Sequence, residues 1–187
     1  MVCRPRSGEK GGSGMNISSE INAVDSVVAA ARAAQLRFEA EGSQKRYDRA
    51  ALAAGWAIMK PARNRELAEL AVQATGLGNV ADKVTKNHRK TLGLLRDIAD
   101  AQTFGILSDD PARGVVEIAR PLGLVAAVTP STNPVATPAN NIINALKCGN
   151  AIVLSPSPKG EACCAALIGY IHAEFAKFGE DPDLVQM

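Results

Sequence analysis

The chain has 187 residues, of which 47% are hydrophobic, 21% charged and 4% aromatic. That composition excludes an intrinsically disordered chain, a collagen-like repeat and a small disulfide scaffold. The formal net charge of +2 comes from the first fourteen residues, where Arg4, Arg6 and Lys10 outnumber Glu9. The remainder is neutral and carries no basic stripe for a phosphate backbone, so we expect no nucleic-acid partner.

Membrane and metal partners are not expected either. No apolar run reaches the ~20 residues that a membrane-spanning helix needs, and the basic N-terminus lacks the apolar segment of a secretory signal. We therefore expect a cytoplasmic protein. Cys3, Cys148, Cys163 and Cys164 show no CxxC spacing, so they are predicted to be small buried residues rather than metal ligands or disulfide partners.

The N-terminal half is predicted to be a helical layer. Residues 1–14 are rich in Gly and Ser and predict a flexible leader, whereas residues 15–104 show the apolar period of helices. The predicted helices cover residues 17–40 and 44–60, a segment around 67–74 that Gly76 closes, and residues 80–103.

Two of the predicted helices have a face whose burial or exposure can be predicted. On the second helix, Leu52, Trp56 and Met59 share one stripe, which predicts that they face the core. The fourth helix carries four cations that are predicted to form a solvated face: Lys83, Lys86, Arg89 and Lys90. Neither face is expected to carry catalytic chemistry.

The pattern changes after residue 104, where strands replace long helices. Residues 105–113 predict a loop and 115–119 a strand. Two continuous apolar runs, 124–128 and 151–154, are typical of strands buried on both faces, and each leads through a turn into a helix. This order predicts an α/β fold in which residues 105–187 begin a Rossmann-like parallel sheet. The start of a further strand at residues 183–185 indicates an incomplete sheet.

The turn at residues 129–134 is the most informative segment for function. It follows a predicted parallel strand, and the carboxyl ends of such strands face the ligand crevice of an open sheet. A helix that begins near Pro134 directs its free N–H groups toward that crevice, a suitable place for a phosphate or an oxyanion. The alternative is that Ser131, Thr132 and Asn133 only cap this helix.

The turn at residues 155–159 follows the next strand, so it is expected to line the same crevice. Two prolines stiffen it, and its serines could donate hydrogen bonds to a ribose hydroxyl. The alternative is an ordinary connection between a strand and a helix. Taken alone, the residues of this turn do not decide between the two.

One segment carries a family resemblance. The sequence RPLGLVAAVTPSTNP at residues 120–134 resembles the aldehyde dehydrogenase superfamily, in which such a strand leads into a turn ending in Asn-Pro. Most members carry Trp immediately before this Asn, and Thr132 in that place is similar to the CoA-acylating branch. Supporting similarities lie at residues 75–78, 82–87 and 155–158, and together they extend from about Ala23 to Met187.

The resemblance implies specific site residues. Asn133 is expected to donate its side-chain amide to the oxyanion of a thiohemiacetal. The nicotinamide and pyrophosphate of NAD or NADP are expected along the first turn, at Thr129, Pro130, Ser131, Thr132, Asn133 and Pro134. The adenosine ribose is expected near Ser155, Pro156, Ser157 and Pro158. Ser155 stands where hydrolytic members have lysine, so the choice between NAD and NADP stays open.

The family's nucleophile is a cysteine on a separate catalytic domain, and none of the four cysteines here matches that context; Cys148 is predicted to pack. The chain is therefore expected to be the N-terminal portion of an acylating aldehyde dehydrogenase, inactive by itself and a homo-oligomer when full length. Its expected substrates are CoA and a small aldehyde such as acetaldehyde or sulfoacetaldehyde. The alternative is a non-catalytic remnant or interaction module that keeps half of a nucleotide-binding fold.

Overall fold

The computed structural model describes residues 17–187, so the predicted leader and Cys3 lie outside the described residues. Four helices come first, and their ends follow local chemistry. The Ser43 hydroxyl accepts a hydrogen bond from the Arg46 N–H, the Asn79 side chain accepts one from the Asp82 N–H, and Gly76 ends its helix with φ of +68°. The helices are α1 (Ile17–Ala40), α2 (Gln44–Met59), α3 (Pro61–Thr75) and α4 (Val80–Asp97).

The fourth helix is shorter than predicted. It ends at Asp97, six residues before position 103, because the following chain bonds to other elements. The Thr103 N–H donates to Oε1 of Gln44 over 2.7 Å, and its hydroxyl donates to the carbonyl oxygen of Lys147. These contacts hold residue 103 at the end of another helix, so the periodic apolar pattern does not continue as α-helix.

The rest of the chain forms two small sheets, two further α-helices and two short 3₁₀ helices, Pro158–Gly160 and Pro182–Leu184. One sheet is an antiparallel pair, and the other is a parallel sheet of three strands in which Ala151–Pro156 lies between Leu124–Thr129 and Val185–Gln186. The elements are β1 (Gly105–Asp110), β2 (Val115–Ala119), β3 (Leu124–Thr129), α5 (Ala136–Lys147), β4 (Ala151–Pro156), α6 (Glu161–Phe175) and β5 (Val185–Gln186). The α/β fold class is confirmed: a helical region precedes the first units of a parallel sheet. No helix among residues 17–187 is long and apolar enough to cross a bilayer.

The predicted loop at 105–113 is wrong, because its first six residues form β1. This strand pairs with β2 from Gly105 opposite Ala119 to Asp110 opposite Val115, and Gly114, with φ of +65°, follows the tight connection. Gly and Asp are uncommon in strands, so local composition indicated a loop. The hydrogen-bonded pairing with β2, which follows the turn, outweighs that local preference for a loop.

The core lies where α2 packs against α5 and α6, and it joins the helical region to the helices of the sheet. The predicted stripe on α2 is wrong for two of its three residues, since Leu52 and Trp56 are 57% and 53% exposed, whereas Met59 is partly buried against the core. Alanines form the buried face instead, together with Tyr47 and Ile58, because small side chains allow helices to approach closely. Val128 of β3 is also exposed, so burial on both faces holds for β4 and not for β3.

Gly149 gives the first testable prediction. Its φ is +73°, and a Cβ at this position would overlap the buried ring of Tyr47. Gly149→Ala should therefore lower the free energy of unfolding by about 2–4 kcal/mol, measured by urea denaturation. The matched control is Gly93→Ala in α4, where a Cβ meets nothing within 4 Å, and it should be neutral or stabilising. Equal stability of the two variants would contradict the prediction.

Candidate functional site

The two turns predicted to share a crevice lie side by side. In the parallel register, Val128 is opposite Ser155 and Thr129 is opposite Pro156, so β3 and β4 end at the same edge. The Ser157 N–H donates to the carbonyl oxygen of Thr129 over 3.0 Å, which extends the pairing by one residue. The turns at residues 129–134 and 155–159 therefore leave the sheet at the same edge.

The first turn does not cap its helix with a side chain. Helix α5 begins at Ala136, its N-cap residue is Val135, and no side chain bonds to its first-turn N–H groups. The interpretation that Ser131, Thr132 and Asn133 serve only as caps is therefore wrong. Because the side chain of Asn133 is not used in capping, it is available for another contact beside the positive end of α5.

The side chain of Asn133 lies in a cavity between this turn and the beginning of α4. The cavity holds about 390 Å³, and Lys86 in it donates from Nζ to Oδ1 of Asn133 over 2.5 Å. Lys83 lines the same cavity and is only 6% exposed; burial, and next the charge of Lys86, lower its pKa. The lining residues are Leu77, Gly78, Asn79, Asp82, Lys83, Lys86, Thr132 and Asn133.

This geometry corrects the expectation for the cations of α4. Arg89 and Lys90 are exposed as predicted, whereas Lys83 is buried and Lys86 is half-buried in the cavity. The solvated-face prediction is thus wrong for the two lysines nearest Asn133. Sequence reasoning missed Lys86, because four cations on one helix look alike until the turn 47 residues later is placed beside one of them.

The predicted ribose residues line a second cavity of about 580 Å³. Ser155, Pro156 and Pro158 lie in its wall, and Glu161 is the one ionisable side chain of residues 21–187 that lines it. Apolar residues of α1, β4 and the last strand form the rest: Ala23, Val24, Val27, Val153, Leu154 and Met187. Of the ten site residues predicted from the two turns, two therefore line the cavity at Asn133, namely Thr132 and Asn133, and three line this one.

The remaining predicted site residues line neither cavity. Thr129 and Pro134 are buried, Pro130 is exposed and Ser131 is partly exposed. The Ser157 hydroxyl oxygen is buried and has no hydrogen-bond partner among the described residues. These five residues are neighbours in sequence of the residues that line the cavities.

The described cysteines are poor candidates for a nucleophile. Cys148 follows the last residue of α5, whereas Asn133 precedes the first, so a helix of 12 residues, about 18 Å long, lies between them. Cys163 and Cys164 are fully buried, and burial raises the pKa of all three thiols, that of Cys164 to about 12. Within residues 17–187 no group of three or more His, Cys, Asp and Glu side chains could hold a metal ion.

Comparison with known proteins gives a consistent answer. The model of the aldehyde dehydrogenase family matches residues 1–186. A sulfoacetaldehyde dehydrogenase (acylating) from Cupriavidus necator is 64% identical over 165 residues, which are 88% of this chain and 33% of that protein. The chain thus spans about a third of that relative's length.

Solved structures agree with the sequence matches. An acetylating aldehyde dehydrogenase from Geobacillus thermoglucosidasius superposes with a TM-score of 0.83 at 34% identity, covering 91% of this chain and 37% of that one. A propionaldehyde dehydrogenase from Rhodopseudomonas palustris, with bound CoA and an acylated cysteine, gives a TM-score of 0.72 at 28% identity. That match covers 87% of this chain and 36% of the neighbour.

Proposed function

Because this chain belongs to the aldehyde dehydrogenase family, we propose that it is the N-terminal portion of a CoA-acylating enzyme that oxidises a short aldehyde to an acyl-CoA. The observation that carries the proposal is the placement of Asn133. Its side chain does not cap α5, lies in a cavity and is held at Oδ1 by Lys86. A fixed amide donor beside a helix N-terminus suits an oxygen that gains negative charge.

The proposed reaction needs one group from outside residues 17–187, a cysteine thiolate that attacks the aldehyde carbon. The carbonyl oxygen then becomes an oxyanion, and Nδ2 of Asn133 donates a hydrogen bond to it. NAD or NADP held along the two turns would supply the hydride acceptor, and loss of the hydride from the same carbon would leave a thioester on the cysteine. The CoA thiolate displaces the cysteine thiolate, which gives the acyl-CoA and restores the enzyme.

The proposed substrate is sulfoacetaldehyde or a similar small anionic aldehyde. The relative that is 64% identical carries that activity in its name. The cavity at Asn133 also contains two lysines, Lys83 and Lys86, and no described carboxylate forms an ion pair with either. These two ammonium groups outnumber the one carboxylate in the lining, Asp82, so the cavity attracts a sulfonate electrostatically and gives no such advantage to an uncharged aldehyde of the same length.

The direct test is a hybrid enzyme, in which the matched segment of this chain replaces its counterpart in the Cupriavidus necator sulfoacetaldehyde dehydrogenase. We expect NADH formation that requires both the aldehyde and CoA, with a lower KM for sulfoacetaldehyde than for propionaldehyde. The 187-residue chain alone serves as a control and should show no turnover. A folded hybrid without turnover would favour the alternative, a non-catalytic module. The full-length enzyme is proposed to be a homo-oligomer, which light scattering on the hybrid would show.

The cavity at Ser155 gives a prediction about the dinucleotide. Glu161 brings a negative charge to the proposed ribose site, so the 2′-phosphate of NADP should be repelled and NAD preferred by roughly tenfold in Kd. Glu161→Gln in the hybrid should reduce that preference, because it removes the charge and keeps the shape. Calorimetry with both dinucleotides measures the ratio, and Glu69→Gln, an exposed carboxylate elsewhere, is the control. An unchanged ratio in Glu161→Gln would contradict this assignment.

A further inference from the structure

Lys86 is the one described side chain that bonds to the proposed oxyanion donor. Its Nζ lies 2.5 Å from Oδ1 of Asn133, although the two residues are 47 positions apart. Lys86 is half-buried, and among the side chains described, those of residues 21–187, no carboxylate lies within ion-pair distance of its ammonium group. The lysine is therefore directed at the amide rather than at a counter-ion.

The contact determines how the amide is oriented. An ammonium group only donates hydrogen bonds, so it fixes the oxygen of Asn133 on the side of Lys86. The amide nitrogen must then point away from Lys86. Without this contact, the amide could rotate by 180° and present its oxygen to the crevice, where it would repel an oxyanion. The positive charge also polarises the amide, which makes its N–H groups stronger donors.

The backbone that carries Lys86 is itself held in place. Asn87, the next residue, is buried and donates from Nδ2 to Oδ1 of Asn64 over 3.0 Å. Asn64 in turn donates from Nδ2 to the carbonyl oxygen of Val84 over 3.0 Å. This buried amide pair joins α3 to the first half of α4, so Lys86 projects toward Asn133 from a fixed segment.

We infer that Lys86 is a positioning residue, which orients the Asn133 amide so that its N–H groups face the thiohemiacetal oxyanion. The inference rests on the proposed function. It assigns the lysine a role in the transition state that does not depend on the charge of the aldehyde. This separates it from simple attraction of a sulfonate, which would act on substrate binding alone.

The test uses kinetics of the hybrid enzyme with sulfoacetaldehyde and with propionaldehyde. Lys86→Met should lower kcat by roughly 10-fold to 100-fold for both aldehydes, the range expected for a hydrogen bond to a charged group. KM for propionaldehyde should change little, whereas KM for sulfoacetaldehyde should rise as well, because the variant also removes one of the two charges proposed to attract the sulfonate. Lys86→Arg should restore part of kcat, because it keeps a cationic donor. The matched control is Lys90→Met, an exposed lysine one turn further along α4.

A double-mutant cycle gives the decisive readout. In an Asn133→Ala background, Lys86→Met should have almost no further effect, since the amide that it orients is absent. Additive losses would overturn the inference, as would a rise in KM for sulfoacetaldehyde alone with kcat unchanged. Failure of the proposed function has a different signature, in which Asn133→Ala itself leaves kcat unchanged.

Discussion

Asn133→Ala in the hybrid enzyme should lower kcat by about 10²–10³, the usual cost of removing one oxyanion donor. The amide nitrogen is proposed to meet a charge that exists only after the thiolate attacks, so its loss should raise the barrier without weakening aldehyde binding. The expected result is therefore a large fall in kcat with KM nearly unchanged. Initial rates of NADH formation at saturating CoA measure both quantities.

Two further variants sharpen this prediction. Asn133→Asp keeps the shape and replaces the donor by a carboxylate, so it should be at least as damaging as alanine. Asn144→Ala is the matched control, because Asn144 is an exposed asparagine on α5 and lies in neither of the two cavities at this edge. If the Asn133→Ala variant had the same kcat as the Asn144→Ala variant, the role of Asn133 as oxyanion donor would be refuted.

Much of the fold could be predicted because its signals are local. Ser43, Gly76 and Asn79 mark helix ends by side-chain or backbone chemistry that acts within a few residues. The parallel strands β3 and β4 follow from apolar runs that each precede a turn and a helix. The strand predicted to start at residues 183–185 begins two residues later than expected: Pro182–Leu184 form a short 3₁₀ helix, and Val185–Gln186 pairs in parallel with β4.

The wrong predictions have a different cause, since each depends on contacts with residues that are distant in the sequence. The strand at Gly105–Asp110 exists because Val115–Ala119 pairs with it, and its own composition indicates a loop. On α2, large apolar residues predicted the buried face, yet the neighbouring helices pack against alanines and leave Trp56 exposed. Periodicity identifies a helix more reliably than it identifies which side the rest of the protein covers.

In the candidate site, too, local features could be predicted and contacts between distant residues could not. Asn133 and the residues 155–158 could be selected from the sequence, because they follow parallel strands and match a family pattern. Their separation into two cavities, and the contact with Lys86, required the placement of α4 against the turn. No spacing rule connects a helix residue to an amide 47 positions later.

Glu174 on α6 forms ion pairs with three cations, more than any other carboxylate among the described residues, and we expect a large effect on stability when it is replaced. The carboxylate is 5% exposed and accepts hydrogen bonds from Lys60 over 2.6 Å, from Arg63 over 2.7 Å and from Lys177 over 2.5 Å. Lys60 and Arg63 lie at the junction of α2 and α3, so Glu174 ties that junction to the end of α6. Burial alone raises its pKa, but the bonds from Lys177, Lys60 and Arg63 outweigh burial and lower the pKa to about 2.

Glu174→Gln should therefore destabilise the 187-residue chain by about 3 kcal/mol near neutral pH, because it removes the charge that compensates three cations. The folded pKa of about 2 lies below the ordinary 4.5, so the contribution of Glu174 is complete above about pH 5 and is lost as the pH falls toward the folded value. Urea unfolding at several pH values should show the difference between the wild-type chain and Glu174→Gln shrinking in that window. Glu69→Gln, which breaks an exposed pair with Arg65, should cost at most about 1 kcal/mol at any pH. If the difference in the free energy of unfolding between the wild-type chain and Glu174→Gln stayed constant from about pH 7 to pH 3, the cations would not be holding this carboxylate ionised.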